Sequence, residues 1–555
     1  MNKIKISRKF DNILYLLKKI KVNYKYIFQI IIDLINFRKD TNKFRKNYSS
    51  QKINKSILII HYDDSFIYEY KLLGYLVQGL KKEGWEIKVL LKNKLNIIGI
   101  SYYKCFGIDN FIFFDNYNLS NEEKKYCREL SGNFLSEELS LPNIKKWTFE
   151  NVWIGPQIFS SLSRNTKEGS INFKDPKIIN KISNETNYCI ENILKARKLF
   201  KSNKANYVLT NEINNNYFGP IVDTAINMHK EVIIQQQPWK DDGLILRKVN
   251  KINRREHPSS ISKKSLIEIF KKEWTIKEEK ILNKITQDRY SGKYFLQSRN
   301  QINTIDYDLT KLREKYNLDK DKKIAVIFSQ VLWDANLFYG EDLFNDAADW
   351  FINTIEAATK NKNINWLVKL HPANVWKRNM ENINTEMTEL IMIRNKFGTL
   401  PPNVKIIFCE DNISTLSLLR ICDYGVTIRG TSGLEISTFG KPCITGGTGR
   451  YSHLGFTIDS NNKEDYLNKI KNIHLIEKLS KKQTKLAKWC AYTTFDLRIF
   501  EIKGVKTKFK YIKRGSHPFQ QNLFIKNNFK KDLDSNKELN KFAKWVQSDN
   551  IDFLK

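Results

Sequence analysis

The strongest constraint on the fold is a series of short apolar runs between Lys322 and Thr445: Lys323–Ser329, Asn365–Leu370, Val404–Phe408, Tyr424–Thr427 and Pro442–Thr445. Helix-like stretches lie between them, at Asp342–Thr359, at Ile413–Ile421 and from Ser432 onward. Runs this short that lack an apolar/polar alternation are buried on both faces, which calls for a parallel sheet covered by helices. A first series of the same kind begins at Ser56, with strands at Ser56–Ile60, Glu86–Leu91, Phe111–Phe114, Tyr207–Thr210 and Glu231–Gln235. Its helices fall at Tyr68–Leu80, stopped by Gly84, and at Ile221–Met228. The expected class is α/β, with two Rossmann-like domains facing a cleft and basic helical extensions at both ends. The expected boundaries are 1–55 for a basic amphipathic extension, 56–261 for the first Rossmann-like domain, 262–321 for a helical linker, 322–470 for the second Rossmann-like domain and 471–555 for a basic helical segment.

Charge narrows the partners. Lys and Arg number 94 against 60 Asp and Glu, a net +34 that favours an anionic partner such as a phosphorylated substrate, a membrane surface or nucleic acid. No nucleic-acid motif accompanies the basic residues, which are densest at the termini, so nucleic acid is not expected. Residues 1–55 hold 15 Lys/Arg and 3 Asp around Ile13, Leu14, Leu16, Leu17 and Ile20, a pattern that suits either a basic amphipathic helix at an anionic inner-membrane surface or a solvated arm or extra packing helix. The apolar stretch Tyr26–Phe37 is broken by Asp33 and is shorter than the roughly 20 residues of a membrane span. Seven scattered cysteines form no CxxC pair, so a cytoplasmic protein is expected, peripheral at most to the inner face of the membrane.

Chemistry concentrates in the second series. Arg429-Gly-Thr-Ser-Gly-Leu-Glu435 follows a strand and opens a helix, so unpaired backbone N–H groups and the positive helix end converge on one point suited to an anion. Thr431 or Ser432 offers a hydroxyl, and Glu435, one turn on, offers a carboxylate to ribose. Glycines recur at Gly446-Gly-Thr-Gly-Arg-Tyr451. Trp366-Leu-Val-Lys-Leu-His-Pro372 delivers Lys369 and His371 to a strand's carboxyl end, where ligands of open α/β sheets gather. His257-Pro258 and His517-Pro518 repeat the dipeptide without a comparable apolar strand and are read as structural.

Asp241-Asp242-Gly243 is the first choice for a base, because mutual repulsion and partial burial raise one carboxyl pKa. Turn formation explains the triplet equally well, and Asp63-Asp64 and Glu212 are rivals. Gln330, Trp333, Asp334, Asn336, Tyr339, Arg450 and Tyr451 are candidate cleft residues. Asp532-Leu-Asp534 has metal-binding spacing but lies in a lysine-rich tail, so no required metal or other cofactor is expected.

Lys369-Leu-His-Pro372, Cys422-Asp423, Arg429–Glu435, Gly440-Lys-Pro442, Gly449-Arg-Tyr451 and Gly455-Phe-Thr457 together resemble the capsule polysaccharide biosynthesis family, which includes Kdo-transferase-like proteins. The resemblance covers Lys322–Tyr466 and, more loosely, Ser56–Ser260, where Asn253-Arg-Arg-Glu-His-Pro258 is also similar. Asp241-Asp242-Gly243, His371-Pro372 and Thr431 or Ser432 are similar to the motifs of bacterial GT-B sialyltransferases. These resemblances imply a GT-B glycosyltransferase that passes a sugar from a nucleotide-activated donor, CMP-linked in preference, to a surface polysaccharide or glycolipid, with inversion. Asp241 or Asp242 would then deprotonate the acceptor. His371 and the hydroxyl residue would hold the leaving phosphate, with Lys369, Pro372, Arg429, Gly430, Gly433 and Glu435 completing the donor site. The alternatives are a nucleotide-sugar epimerase and a non-catalytic assembly factor of a polysaccharide complex.

Overall fold

The computed structural model describes residues 26–45, 55–61, 67–166, 169–298, 300, 303–333, 339–380, 383–509, 519–527 and 536–555. Asp63, Asp64, Asp334, Asn336, His517, Asp532, Asp534 and most of the 1–55 extension lie outside the described residues. The chain divides into two units: Met1–Asn118 with Lys198–Asn211 and Glu501–Asn550, and Leu119–Arg197 with Glu212–Phe500 and Ile551–Lys555.

The first unit holds helix α1 (Ile27–Asp40) and strands β1 (Ser56–Ile60), β2 (Glu86–Leu91), β3 (Asn110–Phe113) and β4 (Tyr207–Thr210). The strands are parallel in the order β4-β1-β2-β3, with Ile57 opposite both Ile87 and Tyr207. All of β1 is buried, which is why it reads as an unbroken apolar run. The helix expected over Tyr68–Leu80 is two helices, Ile67–Leu76 and Gln78–Lys82. α1 is anchored through Asp33, which accepts from Lys71 Nζ (2.7 Å), Tyr102 Oη (2.6 Å) and Asn522 Nδ2 (2.9 Å). Burial lowers the pKa of Lys71, opposed by the Asp33 charge. An antiparallel pair, Val505–Phe509 with Gln521–Ile525, lies in the C-terminal stretch expected to be helical. There Val505-Lys-Thr-Lys-Phe509 has the period-two polarity of a strand.

In the second unit, β5 (Glu231–Gln236) and β6 (Gly243–Val249) form an antiparallel hairpin. Helix α2 (Ile276–Tyr290) lies within this unit. A parallel five-stranded sheet follows: β7 (Ile324–Phe328), β8 (Asn365–Lys369), β9 (Val404–Ile407), β10 (Tyr424–Thr427) and β11 (Cys443–Thr445), with helices α3 (Ala347–Lys360) and α4 (Thr431–Thr438) among its connections. The strand order is β9-β8-β7-β10-β11.

Alternate residues of these strands enter different cores. Ala325, Ile327, Trp366, Val368, Val426 and Ile444 pack with Trp350, Phe351 and Ile355 of α3, while Ile324, Val326, Phe328, Leu367 and Cys443 pack with Leu418, Leu419 and Ile436 on the other face. Each fully buried aliphatic or Phe side chain contributes roughly 1.5–3 kcal/mol, which is how two covered faces hold short strands in register. The α/β class with parallel sheets is therefore as expected from the sequence.

Candidate functional site

The carboxyl ends of β7, β8 and β10 open onto a cavity of about 780 Å³ that lies wholly in the second unit. A parallel sheet directs its strand-to-helix loops to this edge. The cavity brings together Gln330, Lys369, His371, Pro372, Arg429, Gly430, Thr431, Ser432, Glu435 and Arg450, ten of the residues singled out in the sequence.

Its floor is the start of α4. Gly430 is the N-cap, with φ −65° and ψ 157°, and its N–H donates to Thr427 Oγ1 (3.1 Å). Thr431 and Ser432 are the first helical residues and both line the cavity. The first N–H groups of a helix have no intrahelical acceptor, and the helix dipole makes that end positive. Tyr451, fully buried, does not line the cavity; its hydroxyl donates to Gly430 O and so braces the floor from behind. Gly433 is also absent from the lining. A Cβ there would meet Tyr451 Oη at 2.2 Å, so glycine is required by close packing. Gly446, in the second glycine-rich turn, is crowded in the same way by the Trp350 ring at 2.4 Å.

On the β8 side, Nδ1 of His371 accepts from the Ala373 N–H (3.1 Å), so the neutral ring carries its proton on Nε2 as a donor. Lys369 is buried beside it, donates from Nζ to Ile413 O (2.9 Å), and has its pKa lowered to about 8 by burial. Arg429 is committed to structure: its guanidinium bonds Tyr339 O and pairs with Asp342, and burial brings its pKa to about 10. Glu435 Oε1 accepts from Arg289 and from Tyr290 Oη (2.9 Å), so this oxygen faces a buried cation.

Tyr339, another candidate, also lines the cavity, whereas Trp333, Asp241, Asp242 and Glu212 do not. Trp333 packs with Val331 and Ala373 and is not part of the lining. Asp241 and Asp242 form the β5–β6 hairpin turn, Asp242 with a positive φ of 54°, and neither lines the cavity. Asp241 accepts from the Phe295 N–H (3.3 Å); burial, with Asp242 assisting, lifts its pKa to about 6. Glu212 also lies outside the lining, holds the N–H groups of Ile213 (2.9 Å) and Asn214 (3.3 Å), and has its pKa raised by burial.

Among the lining residues that the sequence does not assign to the site are His257, Arg289 and Glu341. His257 carried the same His-Pro signal as His371, and the strand before it, β6, went unread because Arg247 and Lys248 interrupt its apolar run. Arg289 and Glu341 gave no local signal, since their partners Glu435 and Arg255 are distant in the chain.

Fold and cavity together define an α/β protein with a cavity at a parallel sheet's carboxyl edge, lined by the start of a helix. Residues 235–484 match the model of a family described as capsule polysaccharide biosynthesis protein, in agreement with the resemblance carried by the motifs. No curated protein sequence matches the chain. Among solved structures it is similar to a Thermosulfurimonas dismutans KpsC described as a beta Kdo 2,4 transferase (13% identity, 52% of this chain and 80% of that one, TM-score 0.31). It is also similar to Anabaena Alr3699/HepE in complex with UDP-glucose (12%, 80% and 95%, TM-score 0.27) and to a Neisseria meningitidis UDP-GlcNAc 2-epimerase (9%, 79% and 97%, TM-score 0.24). Likenesses of that size fix neither fold nor chemistry.

Proposed function

We propose that the protein is a GT-B glycosyltransferase of capsule polysaccharide synthesis, which transfers a sugar from a nucleotide-activated donor to a growing surface polysaccharide or glycolipid. The observation that carries this reading is the convergence of the α4 start, Thr431, Ser432 and His371 on one cavity, of a volume usual for nucleotide-sized ligands. The family match over 235–484 supports the same reading.

The step is a displacement at the anomeric carbon: the acceptor oxygen bonds to it, its bond to the phosphate oxygen breaks, and the acceptor proton passes to a base. Charge grows on the leaving phosphate, where the α4 N–H groups and His371 Nε2–H stabilise it more in the transition state than in the ground state. A CMP-linked donor, inversion and independence of metal are parts of the proposal. The Asp241–Asp242 turn lies outside the cavity lining, so the reading rests on the donor side.

We also propose that the protein works at the cytoplasmic face of the membrane, through α1. Ile27, Phe28, Ile31, Ile32 and Ile35 form an exposed apolar stripe there, and the basic Arg38 and Lys39 close the helix. Such a helix can lie in an anionic lipid interface. Among the described residues no helix is long and apolar enough to cross a membrane.

The test of the main reading is nucleotide release from the donor with and without a lipid-linked saccharide. Acceptor-dependent release is expected; an epimerised nucleotide sugar formed without acceptor contradicts it.

A further inference from the structure

We propose that His257 and Arg450 form a second oxyanion subsite in the cavity, beside the one at Thr431, Ser432 and His371, so that the donor carries two separate anionic groups. This inference rests on the nucleotide-sugar reading and assigns the residues that hold the donor's second anionic group.

His257 has the hydrogen-bonding arrangement of His371. Its Nδ1 accepts from the Ser259 N–H (2.9 Å), as His371 Nδ1 accepts from the Ala373 N–H, so both neutral rings carry the proton on Nε2, and both residues line the same cavity. Burial and the charges of Arg450, Arg498, Arg429 and Arg247 hold the His257 pKa well below the ordinary range, which keeps the ring a neutral donor.

The loop that presents His257 is built to hold still. Arg247 Nη1 donates to His257 O (3.2 Å), and Arg498 donates to the carbonyls of Pro258 (3.3 Å), Ser259 and Ser260 (3.1 Å). Both guanidiniums are at most 1% exposed. Two buried cations spent on four consecutive carbonyls are a costly arrangement for an ordinary turn. They fix the imidazole's position before any ligand arrives.

Arg450 supplies the charge. The other arginines of the lining are paired: Arg255 with Glu341, Arg289 with Glu435 and Arg429 with Asp342. Arg450 has no hydrogen bond or ion pair among the described residues, and burial lowers its pKa. Glu435 partly offsets its charge but makes no ion pair with it, so an incoming oxyanion would relieve the remaining desolvation cost through charge-assisted hydrogen bonds.

The second oxyanion is either the second phosphate of a nucleoside diphosphate or a carboxylate of the sugar on a nucleoside monophosphate. Calorimetric titration of the full chain with CMP, UDP and a CMP-linked sugar acid distinguishes these sources. Wild type should bind UDP or the sugar acid more tightly than CMP, and the tighter ligand identifies the second group. Arg450→Met should weaken that ligand about tenfold or more while CMP stays within about twofold, and His257→Gln should do the same to a smaller degree. Arg450→Lys, which keeps the charge, should recover part of the loss and serves if the Met variant does not fold. Equal losses for CMP and the two-anion ligand, or no loss for either, would overturn the second subsite. A wild-type protein that binds none of the three, nor GDP or TDP, would overturn the nucleotide-sugar reading itself.

Discussion

Tyr451 and Gly433 are packed so closely that a Cβ on residue 433 would stand 2.2 Å from the Tyr451 hydroxyl, which itself donates to Gly430 O. The contact ties the second glycine-rich turn to the start of α4. Gly433→Ala should therefore cost about 1–3 kcal/mol of stability through overpacking and weaken nucleotide binding. Tyr451→Phe should lose the bond to Gly430 and also weaken binding. The two changes should be non-additive in a double-mutant cycle of urea unfolding, because they act on one contact. Additive effects would mean that the contact does not hold the helix start.

Arg289 and Glu435 form a buried ion pair, each side chain 6% exposed. Removing one partner strands the other, so Glu435→Ala should destabilise the protein by about 3–5 kcal/mol, whereas Arg289→Met with Glu435→Leu should recover much of that loss. Chemical denaturation measures both. A single variant as stable as wild type would show that the pair is open to solvent.

Asp241 gives a pH signature. Its folded pKa, about 6, lies above its unfolded value, so the fold favours the protonated carboxyl; this contribution is complete below the unfolded pKa, near 4, and is lost as pH rises through 6. The melting temperature of Asp241→Asn relative to wild type should accordingly rise between pH 4 and pH 7. A flat difference would show that the carboxyl is not buried. A fall in turnover of several orders of magnitude at constant stability would instead restore Asp241 as the base.

For α1, replacing Ile31 and Ile32 together with Asp should reduce co-sedimentation with vesicles containing phosphatidylglycerol, without changing the melting temperature, since both residues are exposed. Unchanged sedimentation would remove α1 from the membrane contact.

The strands β1, β7, β8, β10 and β11 were legible in the sequence because each is buried on both faces and so has to be apolar throughout. β6 was not, because it contains Arg247, whose buried charge is matched by Asp552, about 300 residues away. Helix Asn121–Ser136 did carry a signal, the Ser120/Glu123 capping box, that went unread, and helices Ile154–Thr166 and Pro176–Ser202 were also missed. At the site, a strand followed by His-Pro was enough to bring His371 to the cavity. The two-carboxylate motif before Gly243 could not be told from a turn, because the residues a hairpin needs at a positive φ are the same ones. Pairings such as Arg289 with Glu435 depend on the assembled fold and leave no local pattern.

The central claim is that the cavity beside α4 binds the phosphate of a nucleotide, and a thermal shift screen with CMP, UDP, GDP and TDP tests it most directly. At least one nucleotide at about a hundredfold over its Kd should stabilise wild type by about 2.7 kcal/mol, a rise of roughly 2–4 °C, and the rise should shrink in His371→Ala although that variant melts at the wild-type temperature without ligand. No rise with any of the four nucleotides, or an equal rise in His371→Ala, would contradict the account.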